Sequence, residues 1–295
     1  MSVEEKNILQ EEFDWLLEDE VPSILSQVKN ILDTSVKKFS VSTDNNATPH
    51  LSKGNNFLLS LPNSDAVKGL INISGDSVVR AELKFKFPKF PSAGIGTFVF
   101  EQCPWKLQQL QDARNHLEMG LEHIVEHESC GKITSGNQAI QLMDKAMVSL
   151  SRVKTCLIVP VKHSLAELMT INAQKVLNPP VPDEVLVSFH VNCDKLVLSV
   201  YTFNILTATP NQKANQQEAH SVGYMFEHDG RWFEVSSRVE IVCTVPWLKD
   251  MIVWINTAQQ LCQQLKDKIT LFHNLLPDLS LSKKNGCPTV AVEVN

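Results

Sequence analysis

Apolar residues recur along this chain in two rhythms, four-three steps and strict alternation, and the switches between them divide it into elements. The first four-three run predicts a helix over residues 3–39. In it Leu9, Phe13 and Leu16 give way, one residue out of step, to Leu17, Val21, Ile24, Val28 and Ile31. Pro22 falls inside this run and should kink or restart the helix, because proline lacks a backbone donor and its ring meets the preceding turn. A polar stretch at 40–56 reads as a loop. Strand signals follow at 57–61, 67–73, 79–87 and 97–101. In the third, Val79, Ala81, Leu83, Phe85 and Phe87 alternate with Arg80, Glu82, Lys84 and Lys86, which sends one set to the core and the other to water.

A second helix is expected from Pro104 to about residue 128, with Leu107, Leu110, Arg114, Leu117, Leu121 and Ile124 as its seam. A third opens at Ser135, with Gln138 in capping-box spacing, and carries Ala139, Met143, Ala146, Leu150, Val153 and Leu157. A short capped turn at Ser164 and Glu167 leads to strands at 185–191, 196–205, 222–227 and 232–243. Asp229-Gly230 marks a hairpin, and the strand at 196–205, apolar on both faces, belongs inside its sheet. The last helix opens at Pro246. Its seam of Met251, Ile255, Ala258, Cys262, Leu265, Ile269, Phe272 and Leu276 is the longest.

This order implies an α+β protein, elongated and two-domain. A long antiparallel, zipper-like four-helix bundle (1–40, 102–158 and 246–278) would stand beside a mainly antiparallel β-sheet domain (41–101 and 159–245). Both are discontinuous in sequence, and 279–295 forms a flexible tail. Helices of 25–30 residues are about 40 Å long, so a rod is expected rather than a sphere.

Composition narrows the function. The net charge is −6, and eight of the first twenty residues are acidic against Lys6 alone, which disfavours nucleic-acid backbones and anionic membranes. Seven cysteines, with no C-x-x-C pair or zinc spacing, read as buried free thiols in a reducing compartment. No secretory signal or membrane span is legible. His123-Ile124-Val125-Glu126-His127 matches an inverted zinc-protease motif, but Leu121 and Ile124 in the seam would turn it outward, without the closed pocket that catalysis requires. Gly94-Ile95-Gly96 lacks the rest of a dinucleotide fingerprint. Arg114 interrupts its seam and suggests either a partner contact or a register-setting ion pair with a neighbouring helix. Trp105, Trp247 and Trp254, near helix starts, read as core anchors. Neither a catalytic, a cofactor-binding nor a metal residue is expected, and the chain reads as a protein-binding protein.

Five stretches carry a resemblance. Glu11-Glu12-Phe13-Asp14-Trp15-Leu16-Leu17, the run from Trp105-Lys106-Leu107-Gln108-Gln109-Leu110 to His116, Met225-Phe226-Glu227, Pro246-Trp247-Leu248 and the run from Gln260-Leu261-Cys262 to Ile269 resemble, in order, the leucine-zipper-containing Rogdi family. The loops at 41–55 and 207–221 and the tail at 280–295 depart from it. The resemblance implies a helical bundle beside a β domain and a non-enzymatic subunit of a RAVE/rabconnectin-type complex. Its implied partners are a large β-propeller protein of the rabconnectin type and cytosolic-sector subunits of the V-type ATPase, whose assembly acidifies vesicles. Implied locations are the cytoplasm, vesicle membranes including synaptic vesicles, and the nuclear envelope. A self-associating zipper scaffold in membrane trafficking or at the nuclear envelope is the alternative, and a metal hydrolase at His123 and His127 the outsider.

Overall fold

The computed structural model describes residues 2–39, 55–61, 64–86, 96–100, 104–160, 163–170, 177–207 and 218–276. Of the stretch expected to be a loop at 40–56, residues 40–54 lie outside them, as do Phe87, Cys103, Cys287 and residues 279–295. The described residues form an α+β fold of several helices and two antiparallel sheets.

The amino-terminal helix is interrupted where its seam slips. Helix α1 (Val3–Trp15) passes into a π-turn, Leu16–Glu20, and resumes as α2 (Val21–Phe39). The Val21 amide donates to the Leu16 carbonyl, five residues back. That wider turn absorbs one extra residue, so Leu16 and Leu17 are both buried, and it sits directly before Pro22, whose missing donor and bulky ring disfavour an ordinary turn. Beyond it the seam is Val21, Leu25, Val28, Leu32, Ser35 and Phe39, with Ile24 and Ile31 half-buried beside it.

Helix α3 (Gln108–Cys130) starts four residues later than Pro104 suggests, because Trp105 and Lys106 form a short strand instead. Helix α4 (Gly136–Ile158) is capped by Ser135, whose hydroxyl accepts from the Gln138 amide at 3.3 Å. A short helix, α5 (Leu165–Thr170), is closed by a reciprocal cap: Ser164 N–H donates to Glu167 at 2.7 Å and Glu167 N–H to the Ser164 hydroxyl at 3.2 Å. The longest helix, α6 (Pro246–Leu275), begins with its proline at the first turn. Helix α2 packs on α3 and α6, and α4 packs on the same two.

The first sheet runs β1 (Asn55–Leu61), β2 (Ser64–Ser74), β3 (Ser77–Phe85), β4 (Gly96–Phe100) in spatial order, with β5 (Trp105–Lys106) extending along the β4 edge of β3. Ala81, Leu83 and Phe85 face inward as their alternation requires. A register shift at Asn72/Ile73 buries Val78 in place of Val79. The second sheet has the order β6 (Val185–Asn192), β7 (Lys195–Leu206), β9 (Arg231–Thr244), β8 (Met225–His228). Strand β7 lies inside it, as its two apolar faces demand. The β8–β9 turn places both Asp229 (φ 49°) and Gly230 (φ 72°) in the left-handed region, the requirement of a two-residue hairpin.

One apolar cluster runs from α2, α3, α4 and α6 into the inner faces of both sheets. Aromatic contacts stitch it: Phe39 meets Trp247 edge-on at 5.5 Å, and Trp105 meets Phe189 at 5.4 Å. A second cluster lies on the opposite face of the β6–β9 sheet, where Leu165 of α5 covers Leu186, Phe203, Phe226 and Phe233.

Candidate functional site

The seam residues singled out in the sequence are mostly buried within the chain. Met143, Leu150, Val153 and Leu157 of α4 and Met251, Ile255, Cys262, Leu265 and Ile269 of α6 have at most 1 % of their surface exposed, and Phe272 packs at the margin against Phe13 at 5.4 Å. On α3, Leu107, Leu110, Leu117 and Ile124 are buried, whereas Leu121 is only half-buried. The stripe there is completed by Ala113 and Gly120, small residues that let helices approach closely. A Cβ on Gly120 would stand 3.2 Å from Ser149 Cβ of α4 and 3.6 Å from Leu32 of α2. Arg114 therefore lies beside the seam rather than in it. Its Nε donates to Glu118 at 2.8 Å, one turn along the same helix, so the ion pair is local and not the interhelical one expected.

The His123–His127 stretch keeps its helical spacing on α3. His123 Nδ1 and Glu126 stand 4.0 Å apart, and His127 turns toward a cleft beside α2. Among the described residues no three His, Cys, Asp or Glu side chains converge to hold a metal ion. Nor is any helix of the described residues long and apolar enough to cross a membrane.

A polar constellation lies on the outer face of the second sheet, where sequence reading placed nothing. Cross-strand register sets Ser199 opposite Glu240 and Tyr201 opposite Arg238. Arg238 donates to Glu240 at 2.5 Å, and the Ser199 hydroxyl donates to the same carboxylate oxygen at 3.2 Å. The guanidinium also lies over the Tyr201 ring at 5.8 Å, and the Tyr201 hydroxyl meets His220 Nδ1 at 3.1 Å. Burial would raise the Glu240 carboxyl, but the Arg238 hydrogen bond and charge outweigh it and hold the group below its usual range. Burial lowers His190 and raises the Tyr201 hydroxyl. Chemically the set is self-neutralised: the carboxylate that accepts from Ser199 is already held by Arg238 and kept ionised, which leaves it a weak base for a serine hydroxyl. The alternation Arg238-Val239-Glu240-Ile241 was the signal that could have found this face.

Gln109 is the functional-looking residue that sequence reasoning passed over entirely. Its amide is buried at the junction of helices and sheet. It donates to the Val191 carbonyl at 2.9 Å and the Cys156 carbonyl at 3.1 Å, and accepts from the Val191 amide at 2.8 Å. One side chain thus pairs with edge strand β6 as a strand would, and also caps α4, where Pro160 has no amide to serve the Cys156 carbonyl.

A cleft of about 510 Å³ opens where the π-turn faces the α3–α4 connection. Leu17, Pro22, Leu25 and Ile133 give it an apolar floor, and Asp14 and Glu18 an acidic rim.

Known proteins share sequence with this chain over most of its length. The family described as Rogdi leucine zipper containing protein matches residues 12–229. The protein rogdi homolog of Danio rerio is 37 % identical over 275 residues, covering 91 % of this chain and 94 % of its own. The Homo sapiens homolog is 35 % identical, with 91 % and 93 % covered. Protein rogdi of Drosophila melanogaster is 33 % identical, with 91 % and 90 % covered.

Proposed function

The chain belongs to the Rogdi leucine-zipper-containing family, and from that premise we propose that it is a non-catalytic adaptor subunit of a RAVE/rabconnectin-type complex. In this role it joins a large β-propeller protein and cytosolic-sector subunits of the vacuolar-type proton pump, and promotes pump assembly and vesicle acidification. It works in the cytoplasm, peripherally at vesicle membranes including synaptic vesicles. The helices at 1–40, 102–158 and 246–278 act as one bundle, and 41–101 with 159–245 act as a β domain beside it.

The observation that carries this reading is where the seams end up. The apolar stripes of α2, α3, α4 and α6 are buried inside one chain, so the stripe that a zipper would lend to a second copy is already occupied. The polar constellation on the second sheet satisfies itself in the same way. The exterior is then what the protein presents, and a rigid body with separate helical and sheet faces suits a linker between two partners.

Loss of the chain from cells provides the test. The fraction of cytosolic-sector pump subunits sedimenting with vesicle membranes should fall, and vesicle pH should rise. Re-expression should restore both. Unchanged membrane attachment and pH after loss would overturn the adaptor reading and leave a self-associating scaffold as the alternative.

A further inference from the structure

The end of the molecule opposite the sheets carries a helix that its own fold barely uses. Phe13 is the one buried side chain of α1, held against Phe272 and His273 of α6. Its first turns stand free, yet they are fixed in helical form by a full capping box. Ser2 N–H donates to Glu5 at 2.7 Å, and the Glu5 amide donates back to the Ser2 hydroxyl at 3.2 Å. A capped, projecting helix is presented in one conformation, which lowers the ordering cost of docking.

What it presents is specific. Positions 4, 8, 11 and 15 follow one another in four-three-four steps and share the face turned away from Phe13. Ile8 is 53 % exposed there, and Trp15 is 58 % exposed. Trp15 is the one aromatic among the large apolar side chains exposed in the described residues; apart from the cross-strand pair Leu58 and Leu70, most of the others stand singly, as surfaces commonly tolerate. Around this pair stand the carboxylates of Glu4, Glu11 and Glu12. Residues 1–20 hold eight acidic residues against Lys6, enough to account for the whole negative balance of the chain. Next to it, Leu17, Pro22 and the carboxylates of Asp14 and Glu18 line the cleft at the π-turn. An exposed tryptophan and isoleucine ringed by negative charge is the complement of an apolar groove bordered by Lys and Arg.

We propose that the outward face of α1 docks a basic-bordered apolar groove on another protein subunit of the assembly, with Trp15 and Ile8 as the inserted side chains. This rests on the adaptor reading above. The carboxylates steer and orient the encounter, and the two apolar side chains hold it.

The full chain, tagged and expressed in cells, is purified with its partners and treated with a zero-length carboxyl-to-amine cross-linker, and the links are mapped by mass spectrometry. Links from Glu4, Glu11 or Glu12 to lysines of one co-purifying protein are expected. The Trp15→Ala chain should bind that protein roughly thirtyfold more weakly, the loss typical of a central aromatic anchor. Glu11→Lys and Glu12→Lys should weaken it too and flatten its salt dependence. Unchanged melting of these variants separates docking from folding, and the charge variants decide the matter if Trp15→Ala is unstable. Links from α1 only to lysines of a second copy of this chain would overturn the proposal. So would a partner retained equally by every variant, which would leave the adaptor reading standing. Recovery of no partner at all would overturn both.

Discussion

Replacing Gln109 by Met removes the amide while keeping the length and volume of the side chain, and so isolates what its three hydrogen bonds contribute. The Val191 amide and carbonyl would lose their partner at 2.8 and 2.9 Å, and the Cys156 carbonyl its partner at 3.1 Å. Gln109 is only 6 % exposed, and water has little access to replace it. Each buried backbone group left unpaired costs about 1–3 kcal/mol, and the apolar thioether recovers little of that. With some relief from local adjustment, the expected destabilisation is about 3–5 kcal/mol, a large share of a domain's usual 5–15 kcal/mol. Urea unfolding, followed by circular dichroism and tryptophan fluorescence, should show a midpoint lowered by about 1–1.7 M for a slope near 3 kcal/mol per molar. Gln109→Glu should be at least as damaging at neutral pH, because a carboxylate would face two carbonyl oxygens. A Met variant within about 0.5 kcal/mol of the parent would refute the idea that this side chain fastens the helices to strand β6.

Other outcomes follow from particular contacts. Gly136→Ala would bring a Cβ within 2.5 Å of His273 Nε2 and 2.7 Å of Ile269 Cγ2, so thermal melting should fall by an amount equivalent to about 1–3 kcal/mol despite alanine's better helix propensity. Cys243 and Cys262, whose thiols burial pushes up to about 11 and about 12, should resist iodoacetamide at pH 8 while exposed Cys130 reacts, as peptide mass mapping would show. His190 is lowered from 6.5 chiefly by burial, opposed by Glu240 and joined by Arg238 and His220. The folded state then binds fewer protons than the unfolded one, so stability falls as pH drops below about 6.5. His190→Asn should lose less stability between pH 7 and pH 5 than the parent in parallel urea titrations, and an equal loss would count against this assignment.

Legibility in the sequence varied with the size of the side chain at each seam position. On α4 and α6, large apolar residues such as Met143, Leu150, Leu157, Met251, Ile255 and Ile269 keep the step, so Ala139, Ala146 and Ala258 between them could be read with the stripe. On α3 the stripe passes through Ala113 and Gly120, which carry no hydropathic signal, and reading large residues alone drew Arg114 and Leu121 into it. The slip between Leu16 and Leu17 was visible, but the π-turn behind it was not, because one inserted residue and a change of face look alike in a pattern. Pro104 resembled a helix start, whereas Trp105 and Lys106 were taken by the exposed edge of β3, a pairing set by distant chain. Gln109 had no legible role, since a buried amide in a helix differs from a surface one only through partners 47 and 82 residues away. The outer face of the second sheet was implicit in the alternation of β9, yet its cross-strand companions Ser199 and Tyr201 emerge only once register is known.

Native mass spectrometry of the assembly purified from cells at physiological expression tests the central claim most directly. One copy of this chain bound to one large β-propeller protein, with cytosolic-sector pump subunits in a heavier species, is the expected result. A species made of this chain alone, paired with itself and carrying neither partner, would contradict the account.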